Sequence, residues 1–267
     1  MPNSHPVVAL ITDFGLSDHY AATMKGVMLS LEPALNIVDI THDVEPQNVS
    51  RAAYLLWASY RYFPAKTVFT CVVDPGVGTQ REFLIAISDH HTFIAPHNGI
   101  LDYVLWAEGI NAVTVLDRDT PKSRSVFSKD VSNTFHGRDL FAPLSAHIAK
   151  GVEPRLFGSP HTVDWTNPPF VDSRHPEVKA RILDIDRFGN IITNIMQVPS
   201  VQGSEVKGIR LGSTIITRWI TNYESAPQNV ACLIWGSSGL LEIVMRRESA
   251  AKALKAKHLV ELDLIRP

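Results

Sequence analysis

Over the first 150 residues, short apolar runs alternate with segments in which apolar residues recur at helical spacing. A chain patterned this way buries both kinds of segment by layering helices on a central sheet, and the βαβ crossovers make that sheet mostly parallel. The strand candidates are Val7 to Thr12, Ile37 to Ile40, Val68 to Val73, Phe83 to Ile87, Phe93 to Ala95 and Val113 to Leu116. Between them Tyr20, Met24, Val27, Met28 and Leu31 share one helix face, as do Val49, Ala52, Ala53, Leu56 and Tyr60 behind an Asn48 cap. Further helices are expected after Asn98-Gly99 and from about Asp139 to Lys150.

The texture changes at Pro154. Pro154, Pro160, Pro168, Pro169 and Pro176 crowd a segment too short to hold them all in regular structure. The expected organisation is therefore an α/β domain over 1–153, a proline-rich linker over 154–177 and a smaller domain over 178–267. That last part reads as short strands separated by turns: Val178 to Ile185, Ile191 to Ile195, Ser213 to Thr221, Val230 to Trp235, Leu240 to Met245 and Leu259 to Leu264. An antiparallel barrel or sandwich fits it, with Ser249 to Lys257 as the helical exception.

Composition narrows the function classes. Twenty-five Lys+Arg against 27 Asp+Glu leave a net charge of −2, and no basic run is long enough to track a phosphate backbone, so nucleic acid is not an expected partner. No apolar stretch reaches the roughly 18 residues of a membrane span, and Met1 to Pro6 has no signal-peptide pattern, so a cytoplasmic protein is expected. Cys71 and Cys232 sit inside apolar runs far apart in the chain, which reads as core cysteine and not as a disulfide or thiolate metal site.

Ligands of open parallel sheets bind at the carboxyl ends of the strands. Two candidate strands end there in acids. Val7 to Thr12 runs into Asp13-Phe14-Gly15, and Val68 to Val73 into Asp74-Pro75-Gly76-Val77-Gly78, with Arg81 close behind. The glycines let backbone approach a ligand; equally, Asp74 can simply cap a turn. Thr134-Phe135-His136-Gly137-Arg138-Asp139 lies just before the last helix of this half. Asp13, Asp74, His136 and Asp139 are legitimate metal ligands, but no His-x-x-x-His or Asp-x-Asp pairing accompanies them, and an Arg beside Asp74 competes with a cation, so no metal is expected. In the second half, Asp186-Arg187-Phe188-Gly189-Asn190 offers a flat apolar ring beside an amide that donates and accepts at once, a pairing suited to a purine; a hairpin turn with a core Phe reads equally well.

Taken in order, Thr12-Asp13-Phe14-Gly15, Asp74-Pro75-Gly76-Val77-Gly78 with Arg81, Asn98-Gly99, Phe135-His136-Gly137-Arg138-Asp139, Asp186-Arg187-Phe188-Gly189-Asn190 and Ser238-Gly239 through Leu241-Glu242-Ile243 resemble the S-adenosylmethionine hydroxide adenosyltransferase family, which is related to the fluorinase and chlorinase. The six motifs run over nearly the whole chain. The resemblance implies an N-terminal α/β domain, a smaller C-terminal β domain, and a homotrimer whose sites are shared between neighbouring subunits. It implies that Asp74, Arg81 and His136 handle a nucleophilic water, that Asp13 binds the ribose hydroxyls, Asp186 the methionine end, and Phe188 with Asn190 the adenine. Asp18 and Phe135 join the substrate-binding set on the N-terminal side, and Ser237, Glu242 and Met245 on the C-terminal side. His97 stands where many relatives carry Asp before Asn-Gly.

The activity so implied is hydrolysis of S-adenosyl-L-methionine to adenosine and L-methionine, without cofactor or metal. In the halogenases the Asp position is a Tyr and the His-Gly pair is replaced by a Ser-containing pair. Asp74 and His136 thus favour water over halide, because a carboxylate repels an incoming anion but accepts a proton from water. A halide adenosyltransferase, a metal-dependent phosphatase and a non-catalytic nucleoside-binding module are the alternatives.

Overall fold

The structure, a computed structural model, describes residues 5–162, 169–172, 175, 177–197 and 206–266. The chain divides into two compact units, Met1–Thr166 and Asn167–Pro267.

The first unit is built on one seven-stranded sheet: β1 (Val7–Thr12), β2 (Asn36–Thr41), β3 (Val68–Val72), β4 (Phe83–Ser88), β5 (Thr92–Pro96), β6 (Ile110–Leu116) and β7 (Gly158–Pro160), in the order β2-β1-β3-β5-β4-β6-β7. β2, β1, β3 and β5 pair in parallel, while β4 runs antiparallel to both β5 and β6, and β7 antiparallel to β6. Five strands therefore point one way and two the other. The helices are α1 (Tyr20–Leu31), α2 (Val49–Ser59), α3 (Asp102–Ala107), α4 (Pro121–Val126) and α5 (Ala142–Ala149). Asn48 caps α2 by accepting from the Arg51 N–H at 3.0 Å.

Side-chain alternation along the strands sends residues to both faces, and both are covered. Val8, Leu10, Val72 and Ile94 pack with Met24 and Met28 of α1 and Leu144 and Ile148 of α5. On the other face Phe69 stacks on Phe93 at 5.2 Å, and Tyr60, just past α2, meets Phe93 edge-on at 5.8 Å. Double coverage is why the central strands read as continuous apolar runs and not as alternating ones. Cys71 and Cys232 are free and buried, as core cysteines.

Two stretches differ from the sequence expectation. Pro154 and Pro160 both lie in regular structure: Pro154–Phe157 forms a 3-10 turn that buries Phe157, and Gly158–Pro160 is strand β7. Both are compatible with proline because the first turn of a helix and an edge strand leave its missing N–H unneeded. The linker prolines Pro168 and Pro176 fall outside the described residues. The helix expected from Asp139 instead starts at Gly137, with a π turn (Gly137–Phe141) leading into α5.

The second unit holds two antiparallel sheets. β8 (Ile182–Ile185), β9 (Ile191–Met196), β12 (Cys232–Trp235) and β13 (Leu240–Val244) pair in the order β12-β13-β9-β8; β10 (Gly208–Leu211), β11 (Thr214–Ile216) and β14 (Asp263–Ile265) pair as β11-β10-β14. Ile182, Ile191, Ile209, Leu233, Leu241 and Ile243 of the two sheets share one core. β8, β11, β12 and β13 are shorter than their apolar runs, β9 matches its run and extends it to Met196, and the helix expected over Ser249 to Lys257 shrinks to α6 (Ala250–Ala253). Ser249 caps it through the Lys252 N–H at 3.1 Å, and Lys255, at φ +53°, turns the chain out of it.

Candidate active site

The carboxyl ends of β1 and β3 are neighbours, because Thr12 pairs with Val72. That register carries Asp13 and Asp74 to the rim of one cavity of about 320 Å³, whose wall also includes Phe14, Tyr20, Phe135, His136 and Arg138. The sequence had named Asp13, Asp74 and His136 by position and Phe135 by the family resemblance; the fold brings all four together.

Asp74 is held by its own turn. Its Oδ1 accepts the Gly76 N–H at 3.0 Å, and Arg81 Nε lies 3.2 Å from the same oxygen as a charge contact without hydrogen-bond alignment. Asp74 Oδ2 is buried and, among the described residues, has no hydrogen-bond partner. A Cβ on Gly76 would lie 2.2 Å from the Arg81 guanidinium, and one on Gly78, at φ +81°, 2.4 Å from the Asn133 carbonyl oxygen. Gly78 is thus required by close approach to backbone and by its left-handed conformation, whereas a side chain at Gly76 would displace the Arg81 guanidinium from Asp74. From behind, Asn98 Nδ2 donates to the Val73 carbonyl at 2.9 Å, so the Asn98-Gly99 turn braces the residue before Asp74.

His136 precedes the π turn, a helix irregularity that tends to occur at functional sites. Its ring meets Phe83 edge-on at 5.5 Å and is 7% exposed, and its Nδ1 is buried with no hydrogen-bond partner among the described residues. Burial pushes its pKa down, the Asp74 charge opposes this, and the balance still lies below the ordinary histidine value. The ring is therefore neutral at neutral pH and able to accept a proton. Burial likewise raises the Asp13 carboxyl; the Gln47 N–H it accepts at 2.9 Å counteracts this, and the nearby Asp74 charge adds to the rise. Phe14, Tyr20 and Phe135 make an aromatic wall with centroid distances of 5.1 to 5.9 Å. Asp18 is exposed in the turn before α1 and does not line the cavity. Asp139 pairs with Arg138 at 2.6 Å and accepts the Ser132 N–H at 2.8 Å, which occupies it structurally.

A second cavity, of about 630 Å³, lies in the C-terminal unit between the Asp186 turn and the chain after β13. Asp186 Oδ1 accepts the N–H groups of Phe188 and Asn190 at 2.9 and 2.8 Å, and Oδ2 accepts Asn190 Nδ2 at 2.8 Å. Gly189, at φ +87°, closes this turn, and a Cβ there would lie 2.0 Å from Ser249 Oγ. The outcome for Phe188 separates the two sequence readings: its ring is not core but 79% exposed beside the cavity, while Asn190 is buried beneath it. Met245 lines the same cavity. Glu242, on β13, accepts a hydrogen bond from the Tyr223 hydroxyl at 3.2 Å; burial raises its pKa, and burial together with Glu242 pushes Tyr223 up to about 12. Ser237 lies outside the strand, exposed in the turn between β12 and β13.

Tyr223 is a lining residue that sequence reasoning missed. It lies in a 3-10 turn (Tyr223–Ser225) with no motif around it, so only the tertiary contact reveals it.

Comparison with known proteins agrees with these two units. Residues 8–158 match the family model of the SAM hydroxide adenosyltransferase N-terminal domain, and residues 180–261 that of the C-terminal domain. The chain is 33% identical over 261 residues to the (R)-S-adenosyl-L-methionine hydrolase of Thermus thermophilus, covering 97% of this chain and 99% of that one. It is 29% identical over 221 residues to the fluorinase of Actinopolyspora mzabensis, covering 72% of each. Among solved structures, an uncharacterized conserved protein from Thermotoga maritima superposes with a TM-score of 0.81 at 31% identity, over 97% of this chain and 100% of that one. With a two-part architecture, a cavity at the tips of β1 and β3 and models matching both units, this chain belongs to the SAM hydroxide adenosyltransferase family.

Proposed function

We propose that this protein hydrolyses S-adenosyl-L-methionine to adenosine and L-methionine by attack of water on the ribose 5′ carbon. The observation that carries the proposal is a pair of buried polar atoms, Asp74 Oδ2 and His136 Nδ1, that have no hydrogen-bond partner among the described residues and belong to two side chains that wall one cavity. Leaving a buried polar atom unsatisfied costs roughly 1 to 3 kcal/mol, so such atoms beside a cavity mark a place for a bound water or a substrate group.

In the proposed reaction the water oxygen forms a bond to C5′ as the carbon–sulfur bond breaks. The bonding pair leaves with sulfur, turning the sulfonium into the neutral thioether of methionine, so the leaving group needs no acid. The water's proton passes to His136 or Asp74, while Arg81, 3.2 Å from Asp74 Oδ1, holds that carboxylate in orientation. Pinning one water in line contributes up to ~7 to 11 kcal/mol in well-oriented cases. Asp13 takes the ribose hydroxyls and Phe135 adds apolar wall. Phe188 and Asn190 take the adenine and Asp186 the methionine end, with Glu242, Met245 and Ser237 on the C-terminal side of the ligand.

No step in this scheme calls for a Lewis acid, so turnover proceeds in the presence of a chelator. Halide transfer, the activity of the fluorinase relatives, is disfavoured here because an anion entering beside Asp74 meets a negative charge. We further infer a homotrimer in which the N-terminal cavity of one subunit and the C-terminal cavity of its neighbour serve one substrate. The substrate, a metabolite of the cell interior, assigns the protein to the cytoplasm; no helix among the described residues is long and apolar enough to cross a membrane. Incubation with S-adenosyl-L-methionine and chromatography of the products tests the central claim: adenosine and methionine in equal amounts are expected, and unchanged substrate or a halogenated nucleoside formed in chloride or fluoride would overturn it.

A further inference from the structure

We propose that Glu82, His97 and His161 form a binding site for one borderline divalent transition-metal ion, of which zinc fits best. One donor atom from each of the three lies within 4.8 Å of the other two. None of the three lines either cavity, so this inference stands apart from the hydrolase reading.

The sheet sets up the arrangement. Glu82 directly precedes β4 and His97 directly follows β5, and the pairing of Phe83 with Pro96 makes them cross-strand neighbours. The His97 N–H donates to the Glu82 carbonyl at 2.8 Å, which fixes the two backbones, and His97 Nδ1 lies 3.1 Å from Glu82 Oε2. His161 follows β7, its N–H donating to the Val113 carbonyl at 2.9 Å, and its ring meets that of His97 edge-on at 5.4 Å. The open end of the β4–β5 hairpin and the segment after β7 thus converge, with their backbones already ordered by the sheet.

The donor set selects the ion. Two imidazole nitrogens and one carboxylate oxygen are a recognised three-ligand set for zinc, with a fourth position left to water. Calcium and magnesium prefer oxygen ligands, and no thiolate is present for a softer ion. Metal–ligand distances of about 2.0 to 2.2 Å require donors roughly 3.4 Å apart in a tetrahedron. Glu82 and His97 are exposed and His161 partly so, leaving the side chains free to close that difference by rotation. A bound ion would tie the open end of the β4–β5 hairpin to the segment leaving β7 and stabilise the folded state by mass action.

The test uses untagged, full-length protein stripped with a chelator and dialysed, with zinc chloride titrated calorimetrically and melting followed by circular dichroism. One zinc per chain at micromolar affinity is expected, with a rise in Tm on zinc addition. His97→Ala and His161→Ala should each weaken binding at least tenfold and remove the zinc-dependent rise, while melting like wild type without metal; Glu82→Gln should weaken it less. Absence of stoichiometric binding in the wild type would overturn the proposal, as would a His97→Ala/His161→Ala double variant that binds as tightly. Adenosine release measured on the same samples reports separately on the hydrolase reading.

Discussion

Arg81 Nε sits 3.2 Å from Asp74 Oδ1, and this contact, with the Gly76 N–H on the same oxygen, leaves Asp74 Oδ2 as the carboxylate's unengaged acceptor among the described residues. With one oxygen engaged, the other is the acceptor left for a proton donor. The division of labour within one carboxylate explains why a glycine-bounded turn, and not a helix, presents it.

Asp74→Asn and His136→Ala should each lower kcat for adenosine release by about 10² to 10⁴-fold, the range of a lost general base. Adenosine binding, followed by calorimetry, should remain near wild type, because proton acceptance matters in the transition state and nucleoside contacts lie elsewhere. An Asp74→Asn protein unable to bind adenosine would reverse the assignment of roles.

The His136 ring should titrate below the ordinary value of about 6.5, since burial disfavours its charged form more than Asp74 favours it. The sign follows directly: its neutral, proton-accepting form persists as pH falls below that value, so the acidic limb of kcat/KM lies below pH 6.5 wherever this ring controls it. Removing the Asp74 charge takes away a raising influence, so the NMR titration of His136 in Asp74→Asn should move lower still. A midpoint that rises in that variant would contradict the electrostatic picture.

Asp13→Ala should act on binding, raising KM for S-adenosyl-L-methionine about tenfold or more with a smaller change in kcat. This is the split expected when an interaction made equally in ground and transition states is lost. Steady-state kinetics of the variant decide it; a fall in kcat at constant KM would place Asp13 in the chemical step.

Gly78→Ala combines a left-handed backbone with a Cβ 2.4 Å from the Asn133 carbonyl oxygen. A cost of about 1 to 3 kcal/mol is expected for the strained backbone alone. Urea denaturation should show a lowered midpoint with unchanged slope. A variant as stable as wild type would mean that the Asp74 loop relaxes at no cost.

Mixing Asp74→Asn with Asn190→Ala, each inactive alone, tests the shared-site trimer. Random equal mixing makes about three quarters of trimers mixed, and one junction of three in each mixed trimer pairs two intact halves, so about a quarter of wild-type activity should return. Mass spectrometry confirms the mixed species; mixed trimers without activity would exclude a site shared around a three-fold ring.

Local pattern carried much of the first unit. The β1 run, the α1 face from Tyr20 to Leu31 and the Asn48-capped α2 were legible in sequence because periodicity, caps and burial on a two-sided sheet all act within a few residues. The strand-tip acids and His136 were legible too, since a doubly wound sheet places ligands at known ends of its strands. Other features depend on partners far along the chain. β10 and β7 draw their pairing from β14 and β6, so neither short run announced itself, and β8 and β12 begin later than their apolar runs, at Ile182 and Cys232. Asn98 bracing Val73, Tyr223 reaching Glu242, and His97 meeting Glu82 and His161 each join residues from separate segments. Sequence by itself determined the helices and central strands of the first unit and the residue types at their tips, because those depend on short-range sterics and hydrophobic period. Only the tertiary structure decided which side chains meet, because cross-strand register and burial bring together residues that no local period relates.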